Sequence, residues 1–236
     1  MGAALVVNGL TKTFRSGPNG RTMSVHALRR VSLEIERGEI IGLVGPPRSG
    51  KSTFLLCAAG LVRGEEGSVS WFGEPVTRHR VPMGLAYVPQ RAGYYSFLSV
   101  REALEYYATL HDLSTDDRAL QVDHALRAVA LHLHSTRRVS HLSAGLLQRL
   151  GLAQALVGTP RALLLDETLC GQGLLFDKGI AALLTQLSRV GVTTILSAQN
   201  AVELHRVVNR IVRLSEGRVV TPRHETAMQE VLASSC

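Results

Sequence analysis

Two short stretches carry the residue types that handle phosphate. Gly45-Pro46-Pro47-Arg48-Ser49-Gly50-Lys51-Ser52 fits G-x-x-x-x-G-K-[ST]. Such a loop bends so that successive main-chain N–H groups and the start of the next helix converge on one anion. Pro46 and Pro47 have no N–H, so donation falls to Arg48, Ser49, Gly50, Lys51, Ser52 and Thr53. Lys51 adds a point charge for the terminal phosphates, and the Ser52 hydroxyl suits Mg²⁺. The second stretch, Ala162-Leu163-Leu164-Leu165-Asp166-Glu167, is an apolar run ending in two carboxylates. An acidic strand end says little alone. Beside a phosphate loop it pairs a metal-holding Asp166 with a Glu167 that can orient or activate an attacking water. The expected cofactors are ATP and Mg²⁺.

These groups need strands and helices to aim them. Val31, Leu33 and Ile35 alternate with Ser32, Glu34 and Glu36, the pattern of a half-buried strand. Residues 39–44 form an apolar run that reads as a central, buried strand feeding the loop. Residues 51–61 have helical composition, and residues 67–72 and 85–88 read as strands. From about Ser99 to Val157 the period becomes helical: Val100, Leu104, Tyr107 and Leu110, then Leu120, Ala125, Leu126, Val129 and Leu131, then a third stretch from Ser143. Strands resume at residues 162–165 and 193–197. Residues 211–214 and 217–220 predict a closing hairpin.

The chain has 236 residues, 45% hydrophobic and 19% charged, enough for one large α/β domain with a core. A net charge of +7 admits nucleic acid, an anionic membrane or a polyanionic ligand as partner. The charge is scattered, densest at Arg78-His79-Arg80, and reads as a solvated surface. Cys57, Cys170 and Cys236 form no C-x-x-C, which argues against zinc and disulfides and for a reduced, cytosolic chain. His132, His134 and His141 lack a third ligand at zinc spacing and read as surface or capping residues. The N-terminus lacks the basic-then-apolar form of a signal peptide. No apolar run approaches the ~18 residues needed to cross a bilayer. Any service to a membrane would pass through a partner.

Three further segments resemble the nucleotide-binding domains of ABC transporters. Tyr87-Val88-Pro89-Gln90, followed by Leu98-Ser99-Val100-Arg101-Glu102, is similar to the family's Q-loop region. Leu142-Ser143-Ala144-Gly145-Leu146 resembles its signature "LSGGQ". Leu214-Ser215-Glu216-Gly217-Arg218-Val219-Val220 resembles its closing hairpin. Order and spacing hold from about residue 4 to 221, and residues 148–156 resemble the subgroup serving exporters of drugs, polysaccharides and lipids. The resemblance implies an α/β P-loop NTPase fold: a RecA-like core with a mixed, mostly parallel sheet, an antiparallel β subdomain and a mostly helical insert. In these terms residues 1–98 and 158–221 are the catalytic core with its β subdomain. Residues 99–157 are the helical subdomain, and 222–236 a C-terminal helix or tail.

The resemblance also implies roles. Phe14 stacks on adenine. Gln90 touches the metal and the reaction site. Ser143, Ala144 and Gly145 close on ATP held by a second ABC subunit, head to tail. Membrane permease subunits dock in a groove near Tyr94, Tyr95 and Phe97, on the cytoplasmic face of the membrane. Transport, with export favoured, is the implied function, and nucleic acid is not an expected partner. Departures fall on hydrolysis. Gln199 stands where the family carries its switch histidine, and Gly173 where an aspartate braces the interface. Ala144 and Leu146 are milder changes. The expectation is ATP binding with slow hydrolysis around Glu167, Gln90 and Gln199. The alternative is a non-hydrolysing clamp, or the degenerate half of an asymmetric pair.

Overall fold

The computed structural model describes residues 2–16, 23–77, 80–111, 114–169, 177–202 and 204–220. Arg78, His79, Cys170, Gly173 and the 222–236 tail lie outside the described residues.

Strand β3 (Ile40–Val44) is buried along its whole length because both its faces are covered. Its alternate residues part: Ile41 and Leu43 face one core, Ile40 and Val44 the other. The same alternation runs through β7 (Ala162–Asp166), where Leu164 joins the first core and Leu163 and Leu165 the second. With β6 (Leu85–Val88), β8 (Thr193–Ala198), β9 (Arg210–Ser215) and β10 (Arg218–Val220) they form a six-stranded sheet ordered β10-β9-β3-β8-β7-β6. All neighbours are parallel except the closing β9–β10 hairpin, the mixed, mostly parallel sheet that was expected.

A second, antiparallel sheet is ordered β2-β1-β4-β5, from β1 (Ala3–Ser16), β2 (Met23–Glu36), β4 (Glu66–Trp71) and β5 (Glu74–Pro75). Helix α1 (Lys51–Ala58) follows the phosphate loop and fills the space between the sheets. Phe54 and Leu55 meet Ile41, Leu43 and Leu164 in one core with Val31, Ile35 and Trp71. Trp71 is fully buried, and its indole N–H donates to the Ala58 carbonyl at the end of α1, 2.8 Å away. One side chain thus fixes the antiparallel sheet to the helix that carries Lys51.

On the other face of the large sheet lie α2 (Val100–Ala108), α3 (Thr115–Ala128), α4 (Ala144–Val157) and α5 (Lys178–Arg189). Each begins on a side-chain cap, from Ser99, Ser114, Ser143 and Asp177 respectively. Ser99 and Glu102 form a reciprocal capping box. Leu104, Leu126 and Leu150 interlock the first three helices. Arg149 of α4 reaches Asp177 at the start of α5 (2.6 Å) and the Val129 carbonyl after α3 (2.7 Å), tying α3, α4 and α5 together.

Because Trp71 combines a large buried ring with a satisfied N–H, Trp71→Ala should cost about 3–5 kcal/mol of folding free energy. Urea denaturation followed by circular dichroism measures it. A loss below about 1 kcal/mol, an ordinary surface effect, would remove Trp71 as the tie between sheet and helix.

Candidate functional site

The phosphate loop turns where its sequence allows. Gly50 takes φ 105° and Arg48 φ 64°, left-handed conformations that swing consecutive N–H groups to one side. A Cβ on Gly50 would strike the Ala27 carbonyl oxygen. The Ser49 N–H points inward to the Pro46 carbonyl (3.2 Å), which withdraws it from the expected set of donors. The first helical N–H with a carbonyl partner is that of Phe54, on Gly50 (2.8 Å). Gly50, Lys51, Ser52 and Thr53 therefore start α1 in the manner of a helix with open N–H groups. The Ser49 hydroxyl is buried and has no hydrogen-bond partner among the described residues. Ser52 is exposed and Thr53 half-buried. A loop with spare donors and an orphaned buried hydroxyl fits a polyphosphate.

The loop is held from beneath by the β9–β10 hairpin. Gly217 donates to the Ser49 carbonyl (2.9 Å), and its own carbonyl accepts from Arg29 of β2 (2.7 Å). A Cβ on Gly45 would run into the Leu214 carbonyl oxygen and the Ser49 hydroxyl.

Lys51 is only 4% exposed, and its ammonium is spoken for on three sides. It donates to the carbonyls of Gly45 (2.7 Å) and Pro46 (3.1 Å) and faces Glu167 Oε1 at 3.4 Å. The other oxygen of Glu167 accepts from Gln90 Nε2 (3.1 Å) and Gln199 Nε2 (3.4 Å). Lys51, Gln90, Glu167 and Gln199, spread over more than 140 residues of chain, thus share one carboxylate. Glu167 reaches them from a left-handed backbone, φ 48°.

Asp166 is buried at the end of β7. Ser197 donates to its Oδ1 (2.8 Å) and Tyr87 to its Oδ2 (3.2 Å), while the Glu167 N–H donates to the same Ser197 oxygen (2.8 Å). Burial, and then the negative charge of Asp166, push the Tyr87 hydroxyl well above the usual phenol range, so it stays a donor. Asp166, the Ser52 hydroxyl and the Gln90 amide oxygen are hard oxygen donors. The carboxylate's hydrogen bonds come from neutral groups, so its charge is not cancelled. This chemistry fits Mg²⁺.

The family model for ABC transporters matches residues 28–170. The chain belongs to the ABC transporter family. ATP-binding domains of this family are ATPases. An ABC transporter ATP-binding protein of Rhizobium meliloti is 31% identical over 222 residues, covering 92% of this chain and 79% of its own length. One from Synechocystis is 27% identical over 213 residues, 89% of this chain, and the chain spans 60% of that relative's length. Among solved structures, the dimeric ATP-binding cassette MJ0796 bound to ADP and Pi superposes with a TM-score of 0.80 at 23% identity. It covers 92% of this chain, and 97% of its own chain is matched, a likeness of fold.

In this ABC cassette Ser143 and Ala144 are exposed and Gly145 half-buried at the start of α4, and Ser143 caps its own helix through the Leu146 N–H (3.4 Å). Phe14 is exposed on β1 with the Lys12 ammonium over its ring, 5.2 Å from the centroid. A groove of about 440 Å³ runs past Met83, Pro89, Ala92, Tyr107, Leu110 and Gln154. Tyr94 meets Tyr107 edge-on, whereas Tyr95 and Phe97 are exposed, packed on each other rather than lining that groove. No helix among the described residues is long and apolar enough to cross a membrane. Tyr87, Ser197 and the hairpin glycine Gly217 were missed as parts of the site. For the first two the signal was register: Tyr87 and Ser197 are the penultimate residues of the strands that flank β7.

Gly45→Ala should break the loop, since the added methyl has no room between Leu214 and Ser49. ATP affinity measured by calorimetry should fall by at least about tenfold, in keeping with an overpacking cost of about 1–3 kcal/mol. Unaltered affinity would show that the loop can shift away from the hairpin.

Proposed function

We propose that the chain is the ATP-binding subunit of an ABC transporter that pairs with a second cassette around Mg-ATP and drives a solute through separate membrane subunits, hydrolysing slowly. Export is the direction favoured by the likeness of residues 148–156 to the exporter-serving subgroup. Residues 1–98 and 158–221 serve as catalytic core and residues 99–157 as helical subdomain. The chain lies against the cytoplasmic face, with the region near Tyr94, Tyr95 and Phe97 receiving the membrane subunit.

The carrying observation is the shared carboxylate of Glu167. Among the described residues Lys51 is its cationic partner. A triphosphate entering the open N–H groups carries more negative charge and competes for that ammonium. Lys51 then turns to phosphate, and Glu167 is released to take a water; Ser52, Gln90 and Asp166 would hold Mg²⁺. Mg²⁺ supplies charge neutralisation at the phosphates when bound. The exposed N-terminus of α4, with Ser143, Ala144 and Gly145, suits a γ-phosphate presented by a partner. The dimeric assembly of MJ0796 with ADP and Pi supports this arrangement.

Slow hydrolysis follows from Gln199. An amide can donate to Glu167 but carries neither proton nor charge near neutral pH. The same residue favours a second reading, the degenerate half of an asymmetric pair. ATPase that stays at background alone and appears on adding a second cassette selects that reading.

Two substitutions test the main proposal. Lys51→Ala should weaken Mg-ATP binding by about tenfold or more; wild-type affinity would end the nucleotide reading. Gln199→His should raise the phosphate-release rate, by up to about 10²-fold if one preorganised group is what is missing. That gain should vanish in a Glu167→Gln background. No gain at all would place the defect elsewhere.

A further inference from the structure

Asp166 and Glu167 point in different directions from adjacent residues, and one hydroxyl lies between them. Strands β7 and β8 run parallel with Asp166 directly opposite Ser197. The Ser197 side chain is 1% exposed. Its hydrogen goes to Asp166 Oδ1 (2.8 Å), and its oxygen accepts the Glu167 N–H (2.8 Å). A hydroxyl is the smallest group able to do both at once.

Each bond has a separate consequence. The bond to Asp166, opposed by that of Tyr87 on Oδ2 (3.2 Å), pins the carboxylate from both neighbouring strands. Neutral donors fix its orientation without spending its charge, whereas a lysine or arginine there would neutralise it. The bond to Glu167 N–H supports a left-handed backbone, φ 48°, in a residue with a long side chain. Such a conformation persists only when its surroundings hold it. It is also the conformation that brings the Glu167 carboxylate to Lys51, Gln90 and Gln199.

We propose that Ser197 is a positioning residue for both halves of the acidic pair: it orients Asp166 toward the cation and holds the turn that aims Glu167. The inference rests on reading Asp166 as the holder of Mg²⁺. Removing the hydroxyl frees one carboxylate oxygen and leaves a main-chain N–H in the interior without its partner. Tyr87 touches only the first function, so the two residues should differ in what they affect.

The test is ATP titration by calorimetry on the full chain, with Mg²⁺ and with EDTA, alongside steady-state phosphate release. Ser197→Ala should weaken the Mg²⁺-dependent part of ATP binding about 10–100-fold, as loss of an outer partner of a metal-holding group does. It should not weaken Mg²⁺-free ATP affinity, and it should lower kcat. Tyr87→Phe should weaken the Mg²⁺ dependence with a smaller effect on kcat, and Ser197→Thr should restore both. Asp166→Asn is the control. If it keeps wild-type Mg²⁺ dependence, the reading of Asp166 is wrong. If it loses that dependence while Ser197→Ala keeps it, the role of Ser197 is overturned. Should Ser197→Ala fail to fold, Ser197→Cys carries the test, with similar volume and a weak donor: a weakened Mg²⁺ response supports the proposal, a wild-type response overturns it.

Discussion

A lysine ammonium held almost wholly out of water is the constraint from which the rest of the site follows. A charge in that position must be paired and hydrogen-bonded to offset the loss of water around it. Lys51 meets the requirement with two main-chain carbonyls and one carboxylate. The carbonyls belong to Gly45 and Pro46, and the bend presenting them exists because Gly45 has no side chain against Leu214. The carboxylate belongs to Glu167, which arrives only through a left-handed turn. Neither partner is available without a specific piece of the fold beneath it.

Those pieces come from three parts of the chain. The β9–β10 hairpin lies more than 150 residues along the chain from the loop at residues 45–50 yet props it, through Gly217 and Ser49. The antiparallel sheet ends on Trp71, which grips the far end of the Lys51 helix. The large sheet delivers Asp166 and Glu167 between Tyr87 and Ser197. Helix α1 is short, eight residues, and its stability comes from burial between the two sheets rather than from its own length. The helix that presents donors to phosphate is therefore fixed by tertiary packing at both ends.

Much of the fold was legible because buried parallel strands and amphipathic helices leave different periods. The run at residues 39–44 and the run ending in Asp166-Glu167 announced central strands, and the 3.6-residue period after Ser99 announced helices. The phosphate loop was legible as well, because its chemistry demands glycines, a lysine and a hydroxyl at fixed spacing. The cross-strand geometry was not. Nothing local marks Ser197 as the neighbour of Asp166, thirty-one residues away, since register between parallel strands is settled by the whole sheet. The withdrawal of the Ser49 N–H to Pro46 depends on a turn that the two prolines permit but do not announce. Tyr94, Tyr95 and Phe97 were placed near a docking groove by family resemblance, and whether an aromatic lines a groove or stands beside it depends on side-chain packing.

The substitution at position 199 changes the balance of forces on Glu167 rather than its set of contacts. With Gln90 and Gln199 both donating amide N–H groups to Oε2, one side of the carboxylate is held by neutral dipoles. A histidine there can gain a proton and draw the carboxylate toward itself; an amide cannot. Lys51 is then the only full positive charge that holds Glu167 among the described residues. On the proposed reading, release of this carboxylate is governed by what competes for Lys51, and the natural competitor is the phosphate chain. The site would sense nucleotide through a single ion exchange, with the two glutamines setting where the carboxylate rests once the lysine has left it. On that reading such a site binds and responds to ATP while lacking the charged group that speeds the chemical step, so the same replacement would give both retained binding and slow turnover.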